Sequence, residues 1–323
     1  MLLVPRRTIL QGLGATAFAL SGALPGGAMA QAWPSRELTV INPFPPGSAT
    51  DLLTRIFGRI LQAKFNATAV VKNIPGSAAA LGTSQIAASK PDGYTVGMVG
   101  TGAVLAKHIL EVPYKFPEDF DFVGQIADLY WGIVVAANSP VKTIDDLVAL
   151  AKQRRVTYGA NSPNGSASMF QMTKLTGGNF RWVVFQGAVE TVTQAAGGHV
   201  DCAVSTATDA VAQVQAGNLR LLASASSQRW PAFPEIKTLR ELGYNAESLS
   251  SVGFAFPKGV DPAIRSRVEA ALKQAMDEPD VAKEIAALGV LKTFRDGAAY
   301  RDHLLESEKI LLPILQEAGM LKK

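Results

Sequence analysis

The chain has one cysteine among its 323 residues, so it cannot close an internal disulfide. It has no C-x-x-C and no H-E-x-x-H, the common spacings of a zinc site. Its three histidines, His108, His199 and His303, lie far apart in sequence. G-x-S-x-G and the P-loop are missing, and Gly100-Thr101-Gly102 lacks the rest of a dinucleotide fingerprint. These absences leave no motif for catalysis and none for a cofactor or metal. His199-Val200-Asp201-Cys202 is the one cluster of ligand types, and it reads as a turn followed by a core cysteine. No Lys/Arg run exceeds two residues, and the formal charge is only +4. Arg6 and Arg7, in a stretch without acids, supply half of that surplus. A nucleic-acid backbone has no electrostatic footprint to meet here.

What is present is apolar. The composition is 48% hydrophobic, enough for a large core, and the length favours two domains over one. Residues 1–30 read as a cleaved export signal: Arg6-Arg7 opens an apolar stretch, and Ala28-Met29-Ala30 forms an A-x-A cleavage site. The alternative, a membrane span, needs ~20 apolar residues, and this run is shorter. Gln11 stands where twin-arginine signals usually carry Lys. No cysteine at the cleavage site offers a lipid anchor, and no later segment is long and apolar enough to span. The expected product is a soluble protein outside the cytoplasm.

Along the mature chain, strand and helix signals alternate. Residues 38–41, 69–71 and 94–99 read as strands, with helices over 52–61 and 81–88 between them. After Asp119 the pattern restarts. Residues 122–126 and 132–136 are apolar, and Thr143 with Asp146 suggests a capping box for a helix over 144–152. Strands follow at 156–159, 181–185, 200–204 and 219–225, with helices near 189–196 and 209–216. Residues 161–166 read as a polar loop before a further helix. Beyond residues 252–256 the chain turns helical, with Asp261 as a cap and Pro262 at the first position. Helices over 281–288 and 298–316 follow, the latter interrupted at Pro313. The alternation predicts an α/β fold with parallel sheet in two lobes, about 31–131 plus the C-terminal 251–323, and 132–250. Two crossings would form a hinge with a ligand cleft between the lobes.

Ligands in such sheets bind beyond the carboxyl ends of strands, where helix starts present free amides to an anion. Three stretches have this form: Gly47-Ser48-Ala49-Thr50-Asp51, Gly100-Thr101-Gly102-Ala103, and Asn164-Gly165-Ser166-Ala167-Ser168. Each also fits an ordinary helix cap. Asp51 is expected to cap its own helix rather than to touch an anion.

Several segments, taken in order, resemble the tripartite tricarboxylate transporter substrate-binding proteins (the Bug family, TctC). They are Trp33-Pro34-Ser35-Arg36-Glu37-Leu38, Pro43-Phe44-Pro45-Pro46-Gly47 with Thr50-Asp51, and Pro91-Asp92-Gly93-Tyr94-Thr95. Tyr158-Gly159, Asn164-Gly165-Ser166, Gly197-Gly198 with Val200-Asp201, and Ala287-Leu288-Gly289 continue the series. The resemblance implies a type II periplasmic-binding-protein fold. It also implies capture of a small carboxylate, partly through ordered water, for the large and small subunits of a membrane transporter, by a monomer. It carries the binding role to Phe44, Pro46, Gly47, Ser48, Ala49 and Thr50 in the first lobe. In the second lobe it carries the role to Asn164, Gly165, Ser166 and Ser168. The resemblance also implies that Thr101, Gly102 and Ala103, and the segment after Val204 with Ser205 and Thr206, line the cleft. The departures are Ser48 and Ala49 in place of glycines, a loop 158–166 one residue longer, Ser205 in place of Asp, and Gln186 in place of Lys. A neutral Ser205 argues against an amino-acid ligand. The rival functions are a sensor that presents its ligand to a membrane receptor and an exported enzyme on the same fold.

Overall fold

The computed structural model describes residues 33–185 and 187–322. The expected export signal lies outside these residues. In chain order the elements are β1 (Leu38–Asn42), α1 (Ala49–Phe65), β2 (Ala69–Asn73), α2 (Ala80–Ala87), β3 (Thr95–Met98), α3 (Thr101–Ile109) and β4 (Phe120–Leu129). Then come β5 (Trp131–Ala136), α4 (Ile144–Gln153), β6 (Val156–Ala160), α5 (Pro163–Thr176), β7 (Phe180–Val184), α6 (Ala188–Ala196), β8 (Cys202–Thr206), α7 (Ala207–Gln215) and β9 (Leu219–Ser224). The chain ends with β10 (Ser251–Pro257), α8 (Pro262–Met276), α9 (Pro279–Ala287), β11 (Val290–Asp296) and α10 (Gly297–Glu317).

The strands form two sheets, ordered β11-β4-β10-β3-β1-β2 and β7-β6-β8-β5-β9. The cores of β1–β2–β3 and β6–β7–β8 are parallel. The expected parallel sheet is thus present in each lobe, within a mixed sheet: β10 runs antiparallel to β3 and β4, and β5 antiparallel to β8 and β9. The strands that run against their sheets are those that follow a crossing from the other sheet, together with β11 at an edge. The chain passes from one sheet to the other at Tyr130, between β4 and β5, and returns into β10. The Leu129 amide donates to the Ser250 carbonyl at 2.9 Å, tying the two crossings together.

Local signals set most boundaries. Thr143 and Asp146 form the expected capping box, and Asp261 with Pro262 starts α8. Three expectations are corrected. β11 has no counterpart among the expected strands; it is an edge strand with an irregularity between Lys292 and Arg295, which breaks the apolar–polar alternation. α10 runs through Pro313, because Leu311, Ile314 and Leu315 pack with Leu105 of α3 and Ala167 of α5, contacts that outweigh the lost backbone bond. The polar loop at 161–166 is largely helix: Ser162 caps α5 by accepting the Gly165 amide, and Pro163 takes the first position.

Candidate functional site

β1 and β3 are parallel neighbours, with Ile41 opposite Gly97, so the loops into α1 and α3 leave the same sheet edge. In the first loop Gly47 has φ +80 and open space where a Cβ would stand; conformation, not crowding, demands glycine there. Its amide donates to Asp51 Oδ2 at 2.9 Å. Asp51 also accepts from Asn73 Nδ2 at 2.8 Å and Arg55 Nε at 3.0 Å. Burial opposes ionisation of this carboxyl, but the bonds from Asn73, Gly47 and Arg55 outweigh it and hold the pKa below the usual range. Asp51 therefore fixes the shape of the loop. The cap of α1 is Ser48, whose hydroxyl accepts the Asp51 amide and donates to the Pro45 carbonyl at 2.8 Å. Its oxygen also lies 3.0 Å from that of Thr50. Phe44, through its carbonyl, accepts from Asn42 and Asn73. Pro46 is exposed and Ala49 half-buried.

At α3, a Cβ on Gly100 would lie 2.5 Å from the Ser251 carbonyl, so glycine is required where the helix start meets the returning crossing. Thr101 is 2% exposed, and its hydroxyl accepts from Asn164 Nδ2 at 2.9 Å. That bond joins the start of α3 to the start of α5, and thus one sheet's lobe to the other's. Gly102 is half-buried, whereas the Ala103 side chain packs into the core.

In α5, Gly165 has no positive φ. A Cβ there would stand 2.7 Å from Trp131 Cζ3, so its need for glycine is steric. The hydroxyls of Ser166 and Ser168 turn inward. Ser166 pairs with Tyr158 at 2.7 Å, whose own hydroxyl burial pushes up to about 12, and Ser168 accepts from Ser248 at 2.9 Å. Both serines are fully buried; they build the helix start rather than its outer surface.

In β8, side-chain alternation separates Ser205 from Thr206. Trp131 faces Thr206 and Gly132 faces Ser205 in the antiparallel register. Trp131, Ile133 and Val204 belong to the core on the α5 side, and Val134, Ala203 and Trp230 to the core on the α6 side. Ser205 thus lies on the α6 side, 2% exposed and with no hydrogen-bond partner. Thr206 lies on the α5 side and donates to Asp209. Burial raises the Asp209 pKa, against the lowering effect of that bond. Gln186 lies outside the described residues.

The structure thus brings the starts of α3 and α5 together, and α1 starts after the strand beside β3. Among the described contacts no hydrogen bond links residues 44–50 to the second lobe. No Lys or Arg is among the proposed contact residues, and among the described residues no cluster of three or more His, Cys, Asp or Glu could hold a metal ion. Asp201 is engaged by Arg154 at 2.6 Å and by Thr157, and Cys202 is fully buried with its thiol pKa pushed up by that burial. Cavities of about 270 and 360 Å³ lie elsewhere, beside Arg220 and Phe233 and beside Arg265 and Asp296; none of the proposed contact residues lines them. Sequence reading missed Trp131. Its place at the seam depends on the β5–β8 register, which no local pattern reveals.

Residues 53–320 match the family described as tripartite tricarboxylate transporter family receptor (TctC). The protein BugT of Bordetella pertussis is 30% identical over 301 residues, covering 90% of this chain and 91% of that one. A protein from the gbd 5′ region of Cupriavidus necator is 28% identical over 318 residues, 96% of each. A TctC solute-binding protein from Polaromonas superposes with TM-score 0.74 at 25% identity, covering 88% of this chain and 99% of that one. A protein of R. palustris solved with adipate shares the fold at TM-score 0.77 and 23% identity, covering 89% of this chain and 98% of that one. The family match over most of the chain and these likenesses, with the two-sheet architecture and its paired crossings, place the chain: it belongs to the TctC/Bug family of tripartite tricarboxylate transporter receptors, with the type II periplasmic-binding-protein fold.

Proposed function

We propose that this receptor binds a small organic carboxylate in the seam between the lobes 31–131 plus 251–323 and 132–250, outside the cytoplasm, and delivers it to the membrane subunits of a tripartite transporter. The observation that carries this reading is the Thr101–Asn164 bond, 2.9 Å long, which draws two helix starts from different lobes together, with no Lys or Arg among the proposed contacts. The first amides of α1, α3 and α5 lack backbone acceptors within their helices; Ser48 and Ser162 cap those of Asp51 and Gly165, and the others favour an anion. Gly47, Ser48, Ala49, Thr50, Thr101, Gly102, Asn164 and Gly165 are the proposed contacts, with Phe44, Pro46 and Thr206 at the rim. A charge-assisted bond of this kind contributes about 1.5–3 kcal/mol. A micromolar site requires about 8 kcal/mol, so donors from both lobes must act together, and the anion favours the closed arrangement. Two fold neighbours, one solved with adipate and one with bound malate, suggest the ligand class. The twin arginines and the A-x-A site in residues 1–30 support export.

The test is a thermal-shift screen of mono-, di-, tri- and aromatic carboxylates, followed by calorimetry on those that raise Tm. Micromolar binding of at least one member is expected. A flat response across the panel, or turnover of a bound acid, refutes the proposal.

A further inference from the structure

The chain has four tryptophans, and three have their indole N–H engaged. Trp33 donates to the Gly93 carbonyl at 3.2 Å, Trp182 to the Ala160 carbonyl at 3.0 Å, and Trp230 to the Trp131 carbonyl at 2.9 Å. Trp131 is the exception: its Nε1 is buried and has no partner, although the residue is only 4% exposed. A buried donor without an acceptor is costly, and folds rarely keep one without a use.

The placement of Trp131 is tightly determined. Its amide donates to Ser226 Oγ at 2.7 Å, and its carbonyl accepts from the Ala225 amide at 2.8 Å as well as from Trp230. It opens β5 at the sheet edge where β6 and β8 end and α5 and α7 begin. Its six-membered ring edge abuts Gly165, so Nε1, on the opposite edge of the indole, points away from that contact. Asn164, the residue before Gly165, also has a buried atom without a partner, Oδ1, while its Nδ2 makes the bond between the lobes. Unpartnered buried polar atoms thus occur on two separate elements, on the Trp131 indole of β5 and on the residue beside its contact Gly165 at the start of α5.

We propose that Trp131 is a specificity-determining residue whose Nε1–H donates to an oxygen of the bound acid. This rests on the carboxylate reading above and adds to it a donor from the sheet itself. An indole N–H donates and cannot accept, so it favours a carboxylate or hydroxyl oxygen over an ammonium at that point.

The test uses the full mature protein with malate and adipate as probes. Trp131→Phe keeps an aromatic ring and removes the donor. Affinity for whichever probe binds should fall about tenfold, the loss of one buried hydrogen bond. In wild-type protein labelled with 15N-tryptophan, one indole resonance of four should move on adding that probe, and Trp131→Phe should delete that resonance. If the variant binds within twofold of wild type, or the moving resonance belongs to another tryptophan, the donor role is refuted and the carboxylate reading stands. If neither of these acids nor any other carboxylate of the panel binds wild type, both fall. Should the variant fail to fold, the wild-type spectrum, assigned by Trp33→Phe, Trp182→Phe and Trp230→Phe, decides alone.

Discussion

Gly165→Ala adds a single methyl at the start of α5. On propensity alone it should help, because Ala is favoured over Gly inside a helix by about 0.5–1 kcal/mol. The structure reverses the sign. The new Cβ would stand 2.7 Å from Trp131 Cζ3, 3.2 Å from Cη2 and 3.4 Å from Cε3, closer than carbon atoms pack. Neither side yields easily. Trp131 is clamped through its backbone by Ser226, Ala225 and Trp230, and the Gly165 carbonyl is held by Ser248 Oγ at 2.8 Å. Overpacking of this kind costs about 1–3 kcal/mol, so a net destabilisation of about 1–2 kcal/mol is expected in urea titration. The shift of the α5 start should weaken binding of the best panel carboxylate about tenfold in calorimetry, since hydrogen bonds lose strength steeply with geometry. The cost depends on the indole's six-membered ring. In a Trp131→Phe background the Gly165→Ala penalty should shrink, giving a coupling of about 1 kcal/mol in the double-mutant cycle. A variant more stable than wild type by the propensity gain, with unchanged affinity, would falsify the steric account of this glycine.

Asp51→Asn should destabilise the fold at pH 7 by about 1.5–3 kcal/mol through its weakened bonds to Gly47, Asn73 and Arg55. The folded pKa is depressed, so the contribution is present above the unfolded carboxyl value of about 4 and lost as pH falls through the folded one; urea titrations at pH 7 and pH 3 should show the gap between variant and wild type closing. Ser205→Asp should lower stability by about 2–4 kcal/mol at pH 7, because the carboxylate would be buried without a cation against the α6 side of the sheet; an unchanged Tm with altered ligand preference would instead put Ser205 at the ligand. Carboxylate binding should survive EDTA and fade only as the acid protonates, near pH 4 for ordinary carboxylic acids; loss of the calorimetric signal in EDTA at pH 7 would contradict a site built from amides and hydroxyls.

Features encoded within a few residues are legible in the amino-acid order alone. Thr143 with Asp146 and Asp261 with Pro262 announce their helix starts because capping is a contact between near neighbours. The three Gly- and hydroxyl-rich stretches after strands were legible for the same reason, and the ordered set of segments pointed to the family. Tertiary structure decided what those stretches do. α5 starts at Pro163 rather than after Ser166, so the hydroxyls of Ser166 and Ser168 lie inside the lobe, bonded to Tyr158 and Ser248. The antiparallel register of β5 on β8 sets Thr206 and Trp131 on one face and Ser205 on the other, a distinction that period-2 alternation makes absolute once pairing is known and leaves undefined before it. Gly165 needs to be glycine because of a ring 34 positions earlier in the chain. The pairing of Thr101 with Asn164 and the return of the chain into β10 likewise join residues far apart in sequence, and only the folded sheet edges bring them within a hydrogen bond of each other.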